Sequence, residues 1–321
     1  MVSIGPLPQS DSRFMRRTRV HQAWYRSEVL GITGYGVLAG SGAPCGSVLP
    51  VGAVQRNLNF TDPEALNRYL DRRTRGWGVD PIRCTSYMTS SQTLSFNMFA
   101  GALTERRASA RLFNQLLRRS DLFEVVSSDF EFAAQGTPFG LGDKTLVDVM
   151  LRFRTRTGHI QVVAVETKLA DRFSTRRTRA TGEHAYQRLA RQSSLWPDFA
   201  AAVADNRTRQ LTRCHALAQS VQFGERDRPT NHAVMLVLTH PDDHVGAACA
   251  SAYAVATASN SSAHRTWAEF VESAILTNAI DGQSASRLQR RYVDLAWSNA
   301  VWSELNELAN GSIERSAGNG A

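Results

Sequence analysis

Two runs of the chain are almost continuously apolar: Leu146-Val147-Asp148-Val149-Met150-Leu151 and Ile160-Gln161-Val162-Val163-Ala164-Val165. Both are rich in β-branched residues, which predicts strands buried on both faces. Arg156-Thr157-Gly158 between them predicts a three-residue hairpin loop with Gly158 in the left-handed conformation. A third run, from His232 through Leu238 to His240, reads as a short buried strand, and residues 123–134 read as a strand carrying Glu131 between Phe130 and Phe132. Helical spacing marks residues 20–30, 62–73 with Asp62-Pro63 as start signal, 183–192 and 197–223. Residues 90–119 read as one long amphipathic helix with Leu94, Met98, Leu103, Leu112, Leu116 and Leu117 on its apolar side. Residues 242–308 read as helical throughout, and 309–321 as a frayed Gly/Ser/Asn tail. The order helix, strand, hairpin, helix, strand predicts an α/β fold with a mixed sheet and added helices at both ends.

Ionisable groups interrupt this pattern. Asp148, Glu166 and Lys168 lie in strands that read as buried, where an unpaired charge costs several kcal/mol unless it is paired or holds a metal. Glu166 and Lys168 are two residues apart and share a strand face. The three-residue loop sets Asp148 opposite Glu166, so all three converge at one sheet edge. A two-residue loop would turn Asp148 to the other face.

Composition sharpens this. Of 37 Lys and Arg residues only Lys144 and Lys168 are lysine. A lysine kept beside two carboxylates in so arginine-rich a chain suggests a task for a compact ammonium that a planar guanidinium does not perform. The formal charge of +8 favours polyanionic partners. No apolar stretch reaches the ~18–20 residues that span a bilayer, and Met1–Ser10 has no signal-peptide pattern, so a cytoplasmic protein without membrane association is expected.

Other features read as structural. Cys45, Cys84, Cys214 and Cys249 have no metal-site or disulfide spacing. The glycines of 31–42 form no phosphate-binding motif, since the region has no lysine and misses G-x-G-x-x-G by one position. His240-Pro241-Asp242-Asp243-His244 reads as a polar loop closing a strand, and His184 and His215 as ordinary helix residues. The basic residues 1–20 read as a solvated arm, with phosphate contact as the functional alternative.

Asp148 in a strand, a hairpin, and Glu166-Thr167-Lys168 at the end of the next strand resemble the signature of the PD-(D/E)XK nuclease superfamily. Val147 stands where the usual proline would be. The segment Tyr87-Met88-Thr89-Ser90-Ser91-Gln92-Thr93-Leu94-Ser95-Phe96-Asn97-Met98-Phe99 resembles the entry helix of a group of uncharacterised bacterial restriction-endonuclease-like members. His21-Gln22-Ala23-Trp24-Tyr25-Arg26 and Gln210-Leu211-Thr212-Arg213 are similar to further motifs of that group. The resemblance covers residues 20–240. It implies a restriction-endonuclease-like core at 86–241, preceded by an extension (1–85) and followed by helices packed on the core (242–308).

The resemblance further implies a metal-dependent endonuclease of restriction or defence type acting on double-stranded DNA, which a homodimer would suit. A repair or recombination nuclease, and a non-catalytic nucleic-acid-binding protein, are the alternatives. Asp148 and Glu166 would bind Mg²⁺ or Mn²⁺, with Glu131 as a further acidic ligand. Lys168 would act on the attacking water. Gln92, Gln210 and Arg213 would support the site, and Arg172, Arg176, Arg177 and Arg179 would contact phosphates.

Overall fold

The computed structural model of the chain describes residues 2–134, 139–175, 180–225 and 232–307. Its centre is a five-stranded mixed sheet: β1 (Leu122–Ala133), β2 (Leu146–Thr155), β3 (Ile160–Thr167), β4 (Val234–Thr239) and β5 (Ser262–Thr266), lying side by side in that order. β1, β2 and β3 are antiparallel neighbours, while β4 and β5 continue parallel to β3. The hairpin closes as its turn residues dictate. Thr155 N donates to His159 O at 2.8 Å, leaving a loop of 156–158 with Gly158 at φ 87°. Pairing then runs from Arg154–Ile160 to Val149–Val165. One step further in the same register sets Asp148 opposite Glu166.

Alternate residues of the strands feed two cores. Val149, Leu151, Phe153, Val163, Val165, Leu236 and Leu238 pack on one side with Phe99, Phe113, Trp267 and Phe270. These come from α3 (Ser91–Phe99), α4 (Arg106–Leu117) and α8 (Trp267–Leu276). Met150, Val162, Ala164, Met235 and Val237 pack on the other side with Tyr186, Leu211, Cys214 and Tyr253. Those belong to α5 (Ala180–Ser193), α6 (Arg209–Gly224) and α7 (His244–Val255). Each buried aliphatic contributes about 1.5–3 kcal/mol, so a one-residue slip of β3 would exchange both faces and is strongly disfavoured. Ala65 and Tyr69 of α2 (Pro63–Thr74) and Tyr292 near the C-terminus join the first core. A smaller cluster forms around Trp24, Tyr25 and Leu49, using α1 (Arg13–Trp24).

Several elements differ from the sequence expectation. Residues 90–119 are two helices, not one: α3 ends at Phe99, a 3₁₀ turn spans Gly101–Leu103, and Glu105 caps α4 by accepting from Arg107 N and Ala108 N. Residues 197–223 likewise divide into Phe199–Ala204 and α6, separated where Asp205 accepts from Arg207 N at 2.8 Å. The segment 242–308 contains β5, a strand of Ser, Ala, His, Arg and Thr whose residues are all half-buried. Such an edge strand has no apolar alternation to reveal it. The basic arm is helical from Arg13, because Ser12 accepts from Met15 N and Arg19 pairs with Asp11 at 2.8 Å. Arg17 donates to Ser298 Oγ at 2.7 Å, joining this helix to the C-terminal segment. The expected tail, 309–321, lies outside the described residues.

Candidate active site

The ends of β1, β2 and β3 bring three carboxylates together. Pairing of Phe130 with Val149 and of Phe132 with Val147 places Glu131 opposite Asp148. At this level the strands change face. Phe130 lies in the first core, whereas Phe132 packs against the second, although both are even-numbered. Glu131, between the two phenylalanines, has a left-handed φ of 46°, a conformation costing a non-glycine residue about 1–3 kcal/mol. Arg72 from α2 holds it there. Its buried guanidinium donates from Nε to Phe130 O at 2.9 Å and from Nη2 to Glu131 O at 2.8 Å.

Each acid has a distinct setting. Asp148 Oδ2 accepts from Thr167 N at 2.6 Å and Thr167 Oγ1 at 2.7 Å. Glu166 Oε1 accepts from Lys168 Nζ at 2.6 Å and Gln210 Nε2 at 2.5 Å, and Cys214 Sγ lies 3.5 Å from Oε2. Glu131 Oε2 accepts from Gln92 Nε2 at 2.9 Å, while its Oε1 is buried with no hydrogen-bond partner among the described residues. The lysine is fixed through its backbone: Lys168 N donates to Leu238 O at 3.0 Å, and Trp267 Nε1 donates to Lys168 O at 3.1 Å. Phe173 lies 5.2 Å beneath its ammonium.

Electrostatics follow from three buried carboxyls facing one buried ammonium. Burial, with Glu166 next, pushes Asp148 up to about 7 against the hydrogen bonds from Thr167. Burial, then Asp148, drives Glu131 well above the usual carboxylate range. Burial alone would lower Lys168, but Glu166 and Asp148 outweigh it and raise it, so it is an ammonium. The cluster therefore holds more acid than its own cation neutralises.

These residues line a cleft of about 310 Å³. Gln92, Gln210 and Arg213 line it with the three acids and Lys168, so the structure brings all of these sequence candidates together. Arg172 is exposed and lines a neighbouring groove with Phe14, Phe173 and Asp243 instead. Arg176, Arg177 and Arg179 lie outside the described residues. Asp80, Arg83, Ser91, Lys144 and Ser174 also line the acid cleft and were not anticipated. Lys144 had a signal: it is the chain's other lysine, so both lysines serve one cleft. Arg72 had none, being one arginine among many on a helix.

Features read as structural are internally satisfied. His240 accepts from Asp242 N at 3.0 Å and bonds Val293 O at 2.9 Å, while Asp243 caps α7 through Gly246 N. A depression of about 740 Å³ at the opposite end of β3, lined by Gln161, Arg118 and Arg265, has no carboxylate in its wall among the described residues.

The donor set suits a hard divalent cation. Carboxylate oxygens dominate, and among the described residues Glu131 Oε1 is a buried acceptor without a donor. Among the described residues no group of three or more His, Cys, Asp or Glu side chains is already arranged to hold a metal ion. An ion here would keep water or substrate oxygens, as Mg²⁺ prefers.

A mixed sheet with two acids and a lysine at the ends of a hairpin's strands defines a class of metal-using phosphodiester hydrolases. The chain matches the PD-(D/E)XK nuclease superfamily over residues 9–294, and it belongs to that superfamily. Membership makes it a nuclease of the hydrolase class with a nucleic-acid substrate, in a family that generally uses divalent metal ions. No curated protein and no solved structure matches it. Among the described residues no helix is long and apolar enough to cross a membrane.

Proposed function

We propose that the protein is an Mg²⁺-dependent endonuclease that hydrolyses double-stranded DNA, of restriction or defence type. One observation carries this reading: three buried carboxylates crowd around one buried lysine in an open cleft, and among the described residues Glu131 Oε1 has no donor. Asp148 and Glu166 would hold the ion, with Glu131 as a further ligand. When bound, it would polarise the scissile phosphate and lower the pKa of an attacking water.

The remaining work falls to the chain's own groups. Lys168, anchored at its main chain by β4 and Trp267, presents a positive charge that orients the water and offsets negative charge developing on the phosphate. Gln210 holds Glu166 and Gln92 holds Glu131, fixing the orientation of both carboxylates. Arg213 and Arg83 at the cleft wall, and the arginines of 172–179 after β3, offer charge for flanking phosphates. The likeness of residues 87–99 to a restriction-endonuclease-like group supports the biological assignment.

Cleavage of supercoiled plasmid with Mg²⁺ or with EDTA tests the reading. Metal-dependent cutting that disappears in Asp148→Ala and in Lys168→Ala is the expected result, and discrete fragments mark a sequence-specific enzyme. Cutting that survives both substitutions would overturn the site, and binding without cutting would favour a non-catalytic role.

A further inference from the structure

Beside the acid cleft, the chain carries an aromatic ring that the core does not use. Trp77 sits in Gly76-Trp77-Gly78 and is 43% exposed. Its loop is nonetheless tightly held. Arg72 Nη2 donates to Trp77 O at 2.9 Å, and Gln92 Nε2 donates to Gly78 O at 2.9 Å. These are the two side chains that hold Glu131, the first by its carbonyl and the second by its carboxylate. Gln92 also accepts from Asp80 N at 3.1 Å.

The glycines are required by this placement. Gly76 and Gly78 have φ of 99° and 121°, and a Cβ on Gly78 would stand 2.6 Å from Arg72 Nη2 and 3.2 Å from Leu146. A loop so constrained could bury an apolar side chain, yet it directs a tryptophan outward. The second cleft lysine, Lys144, lies 5.9 Å from the centre of the ring and is itself exposed. An exposed indole, with an ammonium over one of its faces, thus stands on a loop tied through Arg72 and Gln92 to one of the acids.

We propose that Trp77 is a stacking platform for an unpaired nucleobase next to the scissile phosphate, with Lys144 contacting the adjoining phosphate. An indole face suits any base, and a neighbouring cation suits the backbone that carries it. The inference rests on the nucleic-acid reading of the acid cleft and deepens it. The nucleotide at the cleft is then already unpaired, at a disrupted position in a duplex or within a single-stranded stretch. Trp77 acts here by positioning substrate.

The test uses DNA carrying 2-aminopurine, whose fluorescence falls on stacking, with the full-length protein in EDTA and again in Ca²⁺. Three oligonucleotides are compared: a single strand, a duplex with the probe opposite an abasic site, and a fully paired duplex without a disrupted base. Wild type is expected to quench the probe in at least one unpaired form; which form responds separates the two sources. Trp77→Ala and Trp77→Leu should abolish the quench and weaken that form by about 5- to 150-fold, leaving the paired duplex within about 2-fold. Trp77→Phe should restore most of both. Equal weakening on all three DNAs, or quenching that persists in both ring-less variants, would overturn the stacking role alone. If wild type cuts plasmid normally but quenches neither unpaired form, the stacking role also falls. If it neither binds nor cuts any DNA, the nucleic-acid reading falls with it.

Discussion

Two buried polar regions on the same side of the sheet solve the cost of burial in opposite ways. Around His215 the ring's own demands are met internally. One ring nitrogen bonds Tyr253 Oη at 2.9 Å, the other bonds Ala233 O at 2.9 Å, and Trp196 Nε1 donates to the same tyrosine at 3.3 Å. Burial pushes the imidazole down to about 4, so the region is neutral and closed. The acid cleft faces the same second core through Cys214 and α6, but three buried carboxyls crowd together there, and among the described residues Glu131 Oε1 lacks a donor. A closed network stabilises a fold; an unbalanced one in an open cleft is built for something that arrives later.

The largest expected contrast is in rate. Lys168→Ala and Asp148→Asn should each slow metal-dependent cleavage by about 10²–10³-fold, the scale for removing one electrostatic stabiliser. The melting temperature of Asp148→Asn should not fall correspondingly, whereas Lys168→Ala also loses stability because it strips buried Glu166 of its ammonium; both are read by plasmid cleavage and calorimetry on the same preparations. A collapse of stability in Asp148→Asn would erase the distinction.

The next contrast is in pH dependence, where the two regions act with opposite sign. Asp148 is raised to about 7, so between pH 4 and 7 the metal-free native state keeps a proton that the unfolded chain has released. Its contribution is present at low pH and lost as pH rises through 7, a loss of up to about 4 kcal/mol. Denaturant unfolding in EDTA should show that slope, and Asp148→Asn should reduce it, leaving the part of the same sign that Glu131 contributes.

His215 behaves inversely. Its pKa near 4 lies below the unfolded value of about 6.5, so the native state resists a proton that the unfolded chain accepts. Its contribution is complete above 6.5 and falls by up to about 3 kcal/mol towards pH 4. His21, pushed by burial to about 3, adds to the same acid limb. Insensitivity of that limb to His215→Gln would contradict the assignment.

The smallest effect concerns Glu131. Glu131→Gln replaces a carboxyl that burial keeps protonated with an amide of the same shape and should leave metal-free stability at neutral pH within about 1 kcal/mol. It should also weaken the stabilisation gained from added Mn²⁺, measured by thermal unfolding with and without the ion.

The hairpin was legible because one glycine and two apolar runs determine both register and facing. Asp148, Glu166 and Lys168 follow from that register alone. Glu131 was visible as an acid between phenylalanines, but its left-handed backbone was not, because that conformation is imposed by Arg72, 59 residues away in the chain. Trp77 and Lys144 meet only after α2, the 76–78 loop and β2 have assembled. β5 stayed hidden for a different reason: an edge strand with half-buried polar residues lacks the alternation that identifies strands. The break near Gly101 reflects local capping by Glu105, which outweighs a continuing apolar stripe.

The central claim is that the acid cleft is completed by a divalent ion, and titration calorimetry with Mn²⁺ tests it without requiring a substrate. Binding by wild type that is lost in Asp148→Asn and Glu166→Gln, while His215→Gln still binds, is the predicted result. Absence of binding in wild type, or equal binding in the two acid variants, would contradict it.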